Sequence, residues 1–189
     1  MKIDRKLHLV IPITDDDREN APIVAWVHST PISTQTFDTF WKPISKSFAA
    51  IWTSGLGIVS GPLVADKILR EISQDMEIWE GDNGVQKGLM EEIYRLTNVM
   101  VIGDDGWTML PYKIAKRDKL SAEDALEVEA AIVFFILISA TQRRNQVRSI
   151  LNSAMALWGA QIESSNATEF VNFLRTSTPP AISGAKATS

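Results

Sequence analysis

Residues 130 to 139 read AAIVFFILIS, and the chain carries no charge over the 13 positions from Ala130 to Gln142, between Glu129 and Arg143. A membrane-spanning helix needs about 20 predominantly apolar residues, so this run is too short to cross a bilayer. Ile132, Val133, Phe134, Phe135, Ile136, Leu137 and Ile138 point in every direction around a helix. A helix apolar on all sides is buried on all sides. In a chain of 189 residues it forms either the central helix of the core or one partly covered by a second subunit.

The element that contains this run starts at Ser121, where Ser-Ala-Glu-Asp has the form of a capping box, with Asp124 reaching back to the free amides. No proline or glycine interrupts the chain from there to Gly159. Unbroken, that helix would measure about 55 Å at ~1.5 Å per residue, so a bend near Asn145 or Asn152 is expected.

The N-terminal region follows a different period. In LHLVIPI, Leu7, Leu9, Ile11 and Ile13 alternate with His8, Val10 and Pro12; in PIVAWVHS, Ile23, Ala25 and Val27 alternate with Val24, Trp26 and His28. The polar stretch TDDDRENA separates them, which predicts an antiparallel hairpin. Asp4 and the alternation argue against a signal peptide. Pro12 marks an edge strand or a strand end. A two-stranded hairpin is marginal in water, so it is expected to pack on helices or to gain strands from another copy of the chain.

Helical spacing takes over at Ser33. Phe37, Phe40, Trp41, Ile44, Phe48, Ile51 and Trp52 form an aromatic stripe, with Pro43 implying a kink. A second helix is expected after Gly61, a third from about Val85 to Val101, a short one at Tyr112 to Lys116 and a last one at Thr168 to Arg175. GDDGWTML reads as a connecting loop. The fold class is mainly α (α+β), an N-terminal antiparallel β-hairpin followed by a bundle of about five or six helices. Residues 1–176 form one domain, divided into a hairpin over 2–30 and a helical part over 33–176, with 177–189 as a disordered tail.

Candidate chemistry is sparse. A net charge of -4 argues against nucleic acid as partner, and the absence of cysteine removes thiol chemistry. Gly55, Gly57 and Gly61 follow a helix, where a dinucleotide fingerprint needs a preceding strand. His8 and His28 can meet across the hairpin, but a zinc site needs further ligands. Asp15, Asp16 and Asp17 lack the remaining positions of a calcium loop. Glu91 and Glu92 are adjacent on a helix and share no face, while Glu123, Glu127 and Glu129 read as solubilising charges at a helix start. No catalytic residue, cofactor site or metal site emerges, and the chain reads as a non-enzyme. Phe37, Phe40, Trp41 and Phe48 are the best candidates for a partner-binding surface, against ordinary core packing. Arg144 and Arg148, one turn apart, offer a patch for a partner carboxylate, against a solvated face.

The succession KLHLVIPI, VHSTPIS, TFDTFWKPISKSFAAIW, GLGIVSGP, EIYRLTNV, EVEAAIVFFILISA and LWGAQIESSNATEF, over about Lys2 to Phe170, resembles tail assembly chaperones of long-tailed (siphovirus-type) bacteriophages. The resemblance implies a mainly helical, self-associating protein of the host cytoplasm. Such a protein binds the tape measure protein and keeps it soluble while tail tube subunits polymerise, and a longer frameshifted form recruits the tail tube protein. From the residues themselves, no membrane and no cofactor are expected. The competing class is a structural virion component of the tail or connector, such as a tail completion protein.

Overall fold

A computed structural model describes residues 7–15, 21–103, 106–156, 160–163 and 166–176. Among these the strands are β1 (His8–Thr14), β2 (Ile23–Ser29), β3 (Thr97–Gly103), β4 (Gly106–Pro111) and β5 (Gln161–Glu163). The helices are α1 (Thr34–Thr53), α2 (Gly57–Asp75), α3 (Glu91–Arg95), α4 (Tyr112–Asp118), α5 (Ala122–Thr141), α6 (Arg144–Met155) and α7 (Ala167–Thr176). A π-helical turn, Gln86–Met90, leads into α3. The fold class is α+β, as expected, but the β part is larger than a hairpin. The strands form one antiparallel sheet in the order β4-β3-β2-β1-β5.

Of the two expected ways to support the hairpin, packing on helices is the one observed, against α5, and the added strands come from the same chain instead of another copy. β1 and β2 pair as predicted, with Val10 opposite His28 and Ile11 opposite Val27, but β3 and β5 come from the same chain. Pro12 keeps its edge character, because β5 pairs only with His8, Leu9 and Val10.

α5 is the centre of the core. Its capping box forms, with the Asp124 N–H donating to Ser121 Oγ at 3.0 Å and the Ser121 N–H to Asp124 Oδ2 at 3.4 Å. Ile132 to Ile138 are each at most 1% exposed. They join Leu9, Ile11, Ala25, Val27, Val99 and Val101 of the sheet and Ile44, Ile51, Ala65 and Leu69 of α1 and α2 in one cluster. Each fully buried side chain of this size contributes roughly 1.5–3 kcal/mol, which makes α5 the main apolar driving force of the fold. No described helix is long and apolar enough to cross a membrane.

The long helix breaks at Gln142 and Arg143, both extended, rather than at Asn145 or Asn152. Thr141 Oγ1 donates back to the Leu137 carbonyl at 2.6 Å and Ser139 Oγ to the Ile136 carbonyl at 3.2 Å. Such back-bonding competes with the helical ladder at its end. α2 starts at Gly57, four residues before the expected Gly61. Gly61 lies inside the helix, where an added Cβ would come within 2.8 Å of both Ile51 and Phe134. The third helix stops at Arg95, and Thr97 to Gly103 extend as β3 instead of continuing to Val101. The tail at 177–189 lies outside the described residues, as do Asp16 and Asp17.

The other face of the sheet carries a smaller cluster of Val10, Met100, Trp107, Phe170, Val171 and Leu174. α7 therefore covers the face opposite α5, and the sheet is apolar on both sides.

Candidate partner-binding surface

α1 begins at Ser33, whose Oγ accepts the Thr36 N–H at 3.0 Å. It kinks at Phe40 (φ -111, ψ 20). Pro43 is the cause, since its ring crowds the turn before it and it offers no N–H to that turn. Beyond the kink the helix buries Phe40, Pro43, Ile44, Ser47 and Ile51. Phe37, Trp41, Phe48 and Trp52, at steps of four and seven, occupy the adjacent flank.

The structure thus divides the predicted stripe. Phe40 belongs to the core at 8% exposure and packs against Gly88, where an added Cβ would meet the Phe40 ring at 2.3 Å. Phe37 and Phe48 are half-buried against the core. Trp41 is 51% exposed and Trp52 37%. Phe48 stacks on Trp52 at 4.6 Å, and Trp52 lies parallel to Phe134 of α5 at 6.1 Å, with 9° between the rings. Trp41 has only Lys42 Nζ over its ring, at 5.8 Å, among the described aromatic and cationic contacts. The flank is anchored at its Trp52 end and open at Trp41. Arg148 is exposed on α6, whereas Arg144 opens that helix and its side chain lies outside the described residues.

A second constellation joins residues that no sequence motif links. Tyr94 of α3 stacks on Tyr112 of α4 at 5.4 Å. Tyr112 Oη donates to the Ala125 carbonyl at 3.3 Å and to Glu129 Oε1 at 3.4 Å, and Lys116 Nζ donates to the same Glu129 oxygen at 2.6 Å. Lys113 pairs with Glu91, and the amino groups of Lys113 and Lys116 each stand 6.0 Å from the Tyr94 ring centre. Glu129, expected to be a solubilising charge, is instead an 11%-exposed acceptor that ties α4 to α5. Burial, reinforced by Glu129, pushes both phenols far above their ordinary range. Tyr112 acts as a protonated donor that clips α4 onto α5, and Tyr94 joins α3 to it through the ring stack. A signal was present in the i, i+4 pair formed by Ala125 and Glu129 on the inward side of α5, but the uniformly apolar run that follows hides which side is inward.

Glu91 and Glu92 are separated as predicted. Glu91 goes to Lys113, and Glu92 accepts from Arg95, which holds its carboxyl below the usual range. His8 and His28 do meet, with ring centres 5.0 Å apart. No described group of three or more histidine and carboxylate side chains is arranged to hold a metal ion.

Asp66 of α2 lies near this network. Burial raises its carboxyl above the ordinary 3.8, Lys67 opposes the shift and Glu129 adds to it. An acid whose folded pKa is raised weakens the fold progressively as pH climbs from the unfolded value through the folded one. Asp66→Asn is therefore expected to raise the melting temperature at pH 7, with the gain vanishing below pH 3.8. Melting curves of both proteins across pH check this, and an unchanged or lowered melting temperature at pH 7 would contradict it.

No family model, curated protein or solved structure matches this chain.

Proposed function

We propose that this chain is a tail assembly chaperone of a long-tailed bacteriophage, which binds the tape measure protein in the host cytoplasm and keeps it soluble without catalysis. The observation that carries the reading is the flank of α1. A tryptophan that is 51% exposed, beside Phe37, Phe48 and Trp52, suits the apolar face of a partner helix. Open aromatic surface of this kind is where interfaces place their binding energy. The resemblance supplies the identity of the partner, and the apolar stripe supplies a means of holding it.

Co-expression with the tape measure protein tests the reading, with soluble recovery of the complex as the expected result. A tape measure protein that stays insoluble at every ratio of the two chains rules it out. Trp41→Ala should weaken binding about thirtyfold, the size of a 2 kcal/mol interface anchor. The variant's own stability should change by less than about 0.5 kcal/mol, as for an exposed position. A calorimetric affinity equal to that of the unmodified chain would remove Trp41 from the interface. Mass spectrometry of purified virions separates this reading from a structural tail or connector component, which would be present there in stoichiometric amount.

A further inference from the structure

The two edges of the sheet are built differently. At the β1/β5 edge, β5 is three residues long and leaves Ile11 to Thr14 of β1 beyond its reach. Pro12 lies in that stretch, and Asp124 and Glu127 of α5 line the same cavity as Ile11, Pro12, Ile13 and Thr14. A short strand, a proline and nearby carboxylates are the means by which edges discourage an added strand. β4 has little of this protection. Its sequence, GWTMLP, carries no charge, and its only proline is the last residue.

The pairing of β3 with β4 determines which backbone groups face outward. Gly103 opposes Gly106 across a two-residue connection, so Gly106, Thr108 and Leu110 bond to β3 while Trp107 and Met109 direct their N–H and C=O groups away from it. Arg175 of α7 already donates its Nε to the Trp107 carbonyl at 3.4 Å. Among the described residues, Met109 remains as the open centre of the edge. Met109 is 42% exposed, as is Ile114 of the adjoining α4, and Phe173 of α7, the helix packed on β4, is 64% exposed.

We propose that two copies of this chain pair their β4 strands antiparallel about a twofold axis at Met109, joining two five-stranded sheets into one. A twofold interface sets the centre of the edge against itself, so a charge there would face its own copy. β4 has none. Pairing at Met109 exchanges both of its backbone groups with the partner's Met109. It sets Trp107 opposite the partner's Pro111, which has no N–H to give, and the Trp107 carbonyl needs none because Arg175 supplies a donor. The Trp107 N–H is then left for the partner's Pro111 carbonyl. The inference uses no feature of the α1 flank and stands independently of the chaperone reading.

Sedimentation of the chain alone across a concentration series is expected to give twice the chain mass of 21.0 kDa. Met109→Lys should return the mass to 21.0 kDa, and Thr14→Lys, on the guarded edge, should leave the doubled mass in place. A monomer at the highest concentration, an assembly larger than two, a Met109→Lys dimer or a Thr14→Lys monomer would each overturn the proposal. Should Met109→Lys lose its folded circular dichroism, amide exchange in the unmodified chain decides. Protection of the Met109 N–H that increases with concentration supports the pairing, and exchange independent of concentration refutes it.

Discussion

Phe134→Ala is expected to cost about 3–5 kcal/mol of folding stability, the range for removing a large aromatic side chain from a packed core. Phe134 is fully buried at the middle of α5. Its ring lies against Trp52 of α1 on one side and against the Gly61 position of α2 on another. Three helices therefore meet at one side chain, and the surrounding groups have little freedom to close the space. Gly61 cannot move closer without bringing the α2 backbone into Ile51, and Trp52 is held in its stack with Phe48. A domain's total stability is about 5–15 kcal/mol, so this single change consumes much of it. Urea titration should show a lower midpoint with an unchanged slope. A loss below about 1 kcal/mol would mean that α5 is not the helix on which the core depends.

The contrast between Phe134 and Trp41 explains what the sequence could reveal. Seven successive large apolar residues need no period to be read, because burial on every side is the only outcome that water permits. The capping box at Ser121 was legible for a similar reason, since its hydrogen bonds are local. The α1 stripe was legible as a helix but not as two rows. Phe40 and Trp41 are neighbours in sequence with opposite fates, 8% and 51% exposed. The kink at Phe40, which Pro43 imposes, determines which row turns inward.

β3 departs from the helix expected over Val85 to Val101 for a physical reason. Leu89, Ile93, Leu96 and Met100 fall at helical steps, and the alternation that identifies a strand is absent from TNVMVIG because both faces of the sheet are covered. Val99 and Val101 enter the main core while Met100 enters the cluster under α7. The β-branched content of the segment was the available signal. The network of Tyr94, Tyr112, Lys116 and Glu129 was illegible because it joins residues up to 35 positions apart on three helices, and no local pattern specifies that meeting.

Phe170→Ala is expected to release α7 from the sheet while the main core stays folded. α7 has ten residues, too few to persist alone in water, so its order depends on what it buries. Three side chains do this, Phe170, Val171 and Leu174, in a cluster separate from the one around α5. The Phe170 ring meets Trp26 edge-on at 5.6 Å and lies 6.0 Å from His28. Removing it costs about 3–5 kcal/mol by analogy with other aromatic truncations, about as much as the other two side chains contribute together at roughly 1.5–3 kcal/mol each, and those two alone must then offset the entropy of ordering the helix. Little then holds the helix. Trp26 and Trp107 should shift their emission to longer wavelength, and amides of Ala167–Thr176 should lose exchange protection while those of α5 keep it. That pattern is the opposite of the one expected for Phe134→Ala, which lowers a single global transition. If Phe170→Ala instead lowers the same global transition, with α7 and α5 losing protection together, the two clusters act as one core. The sheet, covered on both faces, would then be what couples them.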